Sequence, residues 1–412
     1  MLLNRLRGNP KDTASTPHAP RSILPDNIPL EFQVLLSACR VFLGTEEPAR
    51  LEAMLAQGPD WEKLLRLANR HGVMPLLYRS ISKNCPQAVP QEWLRRLMLQ
   101  YMQNAARNMK MTAELLRIID LFEVNGIAAI PFKGPALAQQ IYGDITLRSF
   151  VDLDIIVPRE DVLRAKDVLI SQGYNPEIEL DSTQEEIYLK SECEYNFHHP
   201  GHKVRVEVHW RVNPSCYCID YDVDDVWSRL RGLVLKGREV PTLSPEDLLI
   251  SLCIHGARHN WCEKKQIFDM AALVDLQKDL NWEYILAYSR KRHMERLVLL
   301  GLLLAEKFMG VKLPEPALRQ IEKNGPVKDL ASRLQKDFEE DDNGSSRLMN
   351  EMDFWFRARE RLRDRVSCII RLALEPTPMD LMKTPLPVEL YPLYYLIHPV
   401  RMVREYGNSD GR

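Results

Sequence analysis

The chain has 412 residues, 45% of them hydrophobic and 27% charged, which is enough apolar material for two or three packed cores and excludes a disordered chain. Its formal charge of −2 argues against the basic stripe that a broad nucleic-acid surface requires. The eight cysteines form neither a CxxC pair nor the dense framework of a short secreted chain, so they read as reduced thiols.

Residues 1–26 are rich in Pro, Thr, Ser and Arg and read as a flexible leader. Met1-Leu2-Leu3-Asn4-Arg5 opens onto Arg7, Lys11 and prolines instead of the apolar core of a signal peptide, and apolar runs such as residues 297–305 are too short to cross a bilayer. The expectation is a cytoplasmic protein with no transmembrane segment. Residues 27–125 carry a helical pattern. In the run from Trp61, the residues Trp61, Leu64, Leu65 and Ala68 share one face, and a similar run opens at Trp93.

The central segment, 126–240, mixes strands and helices. Residues 127–132 predict a short strand that ends at Lys133-Gly134, and residues 135–142 predict a helix with Pro135 in its first turn, where no amide donor is needed. A strand, a glycine turn and a helix start present free backbone N–H groups that can receive phosphate, and Lys133 adds positive charge there. The same pattern also serves as an ordinary strand-to-helix connection.

Next come Asp152 and Asp154, two apart on a predicted strand whose other face is Leu153, Ile155 and Val157. Glu207 stands in a second predicted strand, opposite Val204, Val206, Val208 and Trp210, with Arg205 and His209 on its own face. Three acids aimed at one point call for a cation, and hard oxygen donors suit Mg²⁺. Between the strands, a predicted helix over residues 160–172 stops at Gly173. His198, His199 and His202 precede Cys216 and Cys218, but their spacing matches no ordinary zinc template.

Ser244-Pro245 opens a helical domain over 241–336, with Ser244 as its N-cap. An acidic linker, 337–347, separates it from 348–412, a C-terminal helix and a tail dense in Pro and aromatics. That tail either packs on the body or docks on a partner or membrane surface.

The order Lys133-Gly134, Arg148, Asp152-Leu153-Asp154 and Glu207-Val208-His209-Trp210 resembles the uncharacterised nucleotidyltransferase family of the DNA polymerase beta superfamily. The resemblance implies an α+β fold, a nucleotidyltransferase-like mixed sheet domain flanked by N-terminal and C-terminal helical regions. It implies transfer of a nucleoside monophosphate from an NTP to an unknown acceptor (small molecule, sugar, peptide or protein) by a two-metal mechanism using Mg²⁺ or Mn²⁺.

By the same resemblance, Asp152, Asp154 and Glu207 are the catalytic metal ligands and Gly134 is the phosphate-binding turn; Lys133, Arg148 and His209, by their charge and position, complete the expected nucleotide-binding set. His255, His259, Trp261 and Asp269 also fall within it, as pocket residues or as ordinary helical core. Arg148 either neutralises phosphate or pairs with Asp144 or Asp152, and His209 either touches nucleotide or holds an acid. Lys133-Gly134 stands where the superfamily has a small-residue pair, and the third acid is Glu. Those two features carry the alternative reading, a catalytically degenerate fold that binds nucleotide or a protein partner.

Overall fold

The computed structural model describes residues 28–339, 347–384 and 386–406. The predicted leader, 1–26, lies outside these residues, as does most of the predicted acidic linker. The architecture is mixed α+β: a five-stranded sheet with helices on both faces.

Four helices, Leu30–Leu43, Pro48–Leu55, Trp61–Arg70 and Met74–Asn84, precede the 34-residue helix Gln91–Val124. In Trp61–Arg70 the expected stripe of Trp61, Leu64, Leu65 and Ala68 is buried, and Asp60 caps the start by accepting from the Lys63 amide at 3.0 Å. The long helix is about 50 Å from end to end at about 1.5 Å per residue. Its first half is mostly solvated, whereas Met111, Leu115, Ile118, Ile119 and Phe122 are buried beneath the sheet.

Strands β1 (Ile130–Pro131), β2 (Asp152–Ile156), β3 (Asn175–Pro176), β4 (Glu194–His199) and β5 (Val204–His209) form the sheet in the order β1-β2-β5-β4-β3. β2 runs parallel to β5, pairing Asp152 with Arg205 and Asp154 with Glu207. β4 runs antiparallel to β5, pairing Glu194 with His209.

Paired residues share a face, so the period of two sorts the sheet cleanly. Leu153, Ile155, Tyr195, Phe197, Val206 and Val208 are buried against the long helix and the helix Val162–Ser171. Asp152, Asp154, Glu194, Glu207 and His209 occupy the other face. The first strand is shorter than predicted because the Ile127 amide bonds back to the Phe122 carbonyl and closes the long helix. The predicted helix over 160–172 is a 3-10 turn, Arg159–Asp161, followed by Val162–Ser171. A hairpin, β6 (Arg231–Leu235) and β7 (Arg238–Thr242), follows the sheet.

The acidic face looks toward the helices Pro245–Arg258 and Lys265–Leu276. Ser244 caps the first of these by accepting from the Asp247 amide at 3.1 Å, as its sequence position predicts. Beyond them lie Trp282–Lys291, Glu295–Met309, Glu315–Lys323 and Gly325–Glu339. One apolar core joins these helices to the N-terminal ones: Leu35, Ala38 and Leu77 share it with Leu252, Leu273, Leu300 and Leu304. Two polar contacts repeat the connection, Arg40 Nε donating to the Phe308 carbonyl at 2.7 Å and Thr45 Oγ1 to that of Met309 at 2.6 Å. No helix among the described residues is long and apolar enough to cross a membrane.

At the C-terminal end, Tyr391 and Tyr394 are buried beside Leu381, and Tyr391 donates to Asp181 Oδ2 at 2.6 Å, so these two aromatics tie the tail to the body, while Leu390, Leu393, Tyr395 and Leu396 stay exposed. Asp380 is fully buried there and accepts from Arg401 at 2.6 Å and Thr377 at 2.9 Å, with His398 Nδ1 at 2.8 Å. Burial alone would raise its carboxyl, but His398 and Arg401 outweigh burial and hold it well below the usual range. Its folded pKa is therefore depressed, and its contribution to stability is present above about pH 4 and lost as pH falls below that. Hydrogen exchange between pH 6 and 3 is expected to show residues 377–406 losing protection first below about pH 4.

Candidate active site

β1 leads into Lys133, and the helix Gly134–Tyr142 starts immediately after it. Gly134 has φ +53°, and a Cβ there would stand 3.2 Å from the backbone carbonyl oxygen of Asp152. Glycine is thus what lets the helix start approach the strand that bears the acids. Gly134→Ala is expected to destabilise the chain by about 1–2 kcal/mol, from the left-handed backbone alone, as measured by urea unfolding.

Lys133 Nζ donates to Asp154 Oδ1 at 2.8 Å, with both side chains largely buried. His209 Nε2 lies 3.3 Å from the same Asp154 oxygen and 3.4 Å from Glu207 Oε2, and its Nδ1 lies 3.3 Å from Glu194 Oε2. Arg258 Nη1 approaches Glu194 Oε2 at 3.4 Å from the opposite side. Cations and acids therefore alternate across a buried face.

The titration behaviour follows from that alternation. Burial would raise the Asp154 carboxyl, but Lys133 and His209 hold it far below the usual range. Burial likewise opposes the charge on Glu194, yet His209 and Arg258 bring it down to about 2. Asp152 is pushed up to about 6, first by burial and then by the charges of Asp154 and Glu207. His209 stays cationic despite its burial because Asp154, Cys193, Glu194 and Glu207 surround it. On the facing helix, burial and neighbouring cations lower both His255 and His259, the latter to about 4.

Asp152, Asp154, Glu207, Lys133 and Arg148 all line one cleft of about 250 Å³, and His255 and His259 close it from the helical side. Arg148 is not paired with Asp144 or Asp152. Its Nε donates to Asp269 Oδ2 at 2.9 Å, a carboxylate that also accepts from the Tyr142 hydroxyl at 2.8 Å. Arg205 leaves the cluster and pairs with Glu177 at 2.9 Å. Trp261 is fully buried, its ring filling the space that the missing side chain of Gly256 leaves.

Glu194 and Arg258 belong to this constellation and were not among the residues the sequence singled out. The Glu194-Tyr195-Asn196-Phe197 alternation does place Glu194 opposite a buried face, but only the β4–β5 register brings it to His209.

Asp154, Glu207 and His209 each offer one ligand atom, and these atoms lie within 4.8 Å of one another. Both His209 nitrogens are buried without an aligned hydrogen bond, although carboxylate oxygens stand on either side. The Asp154 and Glu207 carboxylates are hard oxygen donors that fit a divalent cation, whereas His209, protonated between acids, is itself a positive charge there and has no lone pair to offer. Cys193, Glu194 and His209 form a second close group, but Arg258 Nη1 stands 3.4 Å from both the thiol and Glu194 and takes the place of a cation there.

No curated protein matches this chain. Among solved structures it is similar to an antigenic nucleotidyltransferase-like protein from Paracoccidioides brasiliensis, at 15% identity and a TM-score of 0.29, over 52% of this chain and 96% of that one. The model of the family described as "Uncharacterised nucleotidyltransferase" matches residues 57–310, and the chain belongs to that family.

Proposed function

We propose that the protein transfers a nucleoside monophosphate from an NTP to an acceptor hydroxyl, releasing pyrophosphate, with Asp152, Asp154 and Glu207 holding Mg²⁺ or Mn²⁺. The observation that carries this reading is the parallel β2–β5 pairing, which sets Asp154 beside Glu207 and all three acids in one cleft. The divalent metal, when bound, neutralises phosphate charge and polarises the phosphoryl oxygens.

The chain's own groups do the rest. The start of Gly134–Tyr142, where Pro135 has no N–H and the Leu137 amide bonds the Lys133 carbonyl, offers phosphate the amides of Gly134 and Ala136, beside a backbone that only glycine allows so close. Arg148 and Arg258 stand at the cleft to balance the triphosphate. Glu207 takes the proton of the incoming hydroxyl as its oxygen bonds to phosphorus. His255 and His259, held neutral, offer hydrogen bonds to nucleotide or acceptor without adding charge. The need for NTP and the free thiols favour the cytoplasm.

A second reading is a non-catalytic nucleotide-binding fold. The direct Lys133–Asp154 contact favours it, since the ammonium engages an acid that catalysis needs for metal. The test is incubation with each α-labelled NTP, Mg²⁺ and candidate acceptors, with Asp152→Ala and Asp154→Ala alongside. Label transfer that both variants lose supports the enzyme. Nucleotide binding with no transfer by any protein supports the second reading, and neither binding nor transfer removes both.

A further inference from the structure

Lys133 lies at the centre of the acid cluster and has no counterpart in the chemistry of a metal pair. Its side chain is 12% exposed, its Nζ is 2.8 Å from Asp154 Oδ1, and the same nitrogen stands 4.8 Å from the centre of the Phe132 ring. That ring in turn meets His209 edge-on at 5.1 Å. The ammonium is thus held by a carboxylate and an aromatic face together.

A site for two metal ions would need free carboxylate oxygens for both. Asp154 is central in the cluster, and its Oδ1 already accepts from Lys133, with His209 Nε2 3.3 Å away. Only Oδ2 is left for an ion. An ion on Oδ1 would stand within contact of the ammonium, where the repulsion of unit charges in a buried site reaches several kcal/mol.

We propose that Lys133 is a resident cation occupying one of the two metal places, so that the site takes a single divalent ion on Asp154 and Glu207, whose ligand atoms lie within 4.8 Å of each other, with Asp152 lining the same cleft. This rests on the metal-binding reading above and changes its stoichiometry. The ammonium then supplies the charge of the missing ion, and Lys133 is a positioning residue for Asp154.

The experiment counts Mn²⁺ bound per chain by equilibrium dialysis and electron paramagnetic resonance, for wild type, Lys133→Met and Lys133→Arg, with circular dichroism to establish folding. Wild type and Lys133→Arg are expected to bind one Mn²⁺ per chain, and Lys133→Met two; any other number in the wild type overturns the inference. Equal numbers in wild type and Lys133→Met overturn the inference. Should Lys133→Met fail to fold, wild-type crystals soaked in Mn²⁺ decide. One anomalous peak with Nζ still on Asp154 supports the inference, and two peaks, no peak or a displaced Lys133 overturn it. Failure here with NTP label still transferred leaves the enzyme reading intact, because transfer is measured separately.

Discussion

Asp154→Asn is expected to lower nucleotide transfer by roughly 10³-fold, the several kcal/mol that charge stabilisation by a bound metal contributes to such a transition state. Asparagine keeps an oxygen for Lys133 and His209, whose nitrogens stand 2.8 and 3.3 Å from Asp154 Oδ1, but loses the charge that would hold the proposed divalent ion. Asp154→Ala removes the acceptor as well and leaves a buried ammonium facing a void. Breaking one partner from a buried pair costs about 3–5 kcal/mol. The Ala variant should therefore be markedly less stable than the Asn variant, while both are equally inactive. Label transfer read beside urea unfolding separates the two effects, and wild-type transfer by Asp154→Asn would take this carboxylate out of the chemistry.

Asp269→Leu is expected to destabilise the chain by about 3–5 kcal/mol, because it leaves the Arg148 guanidinium buried without its counter-charge. The Arg148 side chain is 9% exposed and that of Asp269 is 3% exposed, so water cannot substitute for the lost partner. The backbone consequence is as important. The Arg148 carbonyl is held by Asn108 at 2.8 Å and by Asn104 at 3.4 Å, so the residue joins the long helix, the segment before β2 and the helix Lys265–Leu276.

Replacing both partners, as Arg148→Met with Asp269→Leu, is expected to recover most of the loss, since a well-packed apolar pair often matches a buried ion pair. The recovery is incomplete, because the Tyr142 hydroxyl loses its acceptor at about 1–3 kcal/mol. If Arg148 also neutralises phosphate, the double variant regains most of its melting temperature but not its affinity for NTP. Recovery of both would make Arg148 purely a structural tie.

The acidic face was readable from the sequence because strand alternation is local. Leu153 and Ile155 declare which side of β2 is buried, and Asp152 and Asp154 follow by parity. Helix starts were equally local, as at Ser244-Pro245. What was not readable is pairing between distant segments. Nothing in the residues around Arg148 announces Asp269, which is 121 positions away. Glu194 joins the site only through its antiparallel register with His209. Lys133 gains a partner for a related reason: its sequence position suggested a phosphate, and the antiparallel pairing of β1 with β2 also brings Asp154 within hydrogen-bond reach of it.

The apolar core shared by the first and later helices has a consequence for biosynthesis. Arg40 and Thr45 leave the ribosome 268 and 264 residues ahead of their partners, Phe308 and Met309. At about 5–20 residues per second, the helix Leu30–Leu43 packs early on Pro48–Leu55, Trp61–Arg70 and Met74–Asn84 but waits on the order of tens of seconds for its contacts with Glu295–Met309. During that interval the side of Leu30–Leu43 that later meets Glu295–Met309 stays unfilled, so the N-terminal helices can assemble before the shared core is completed.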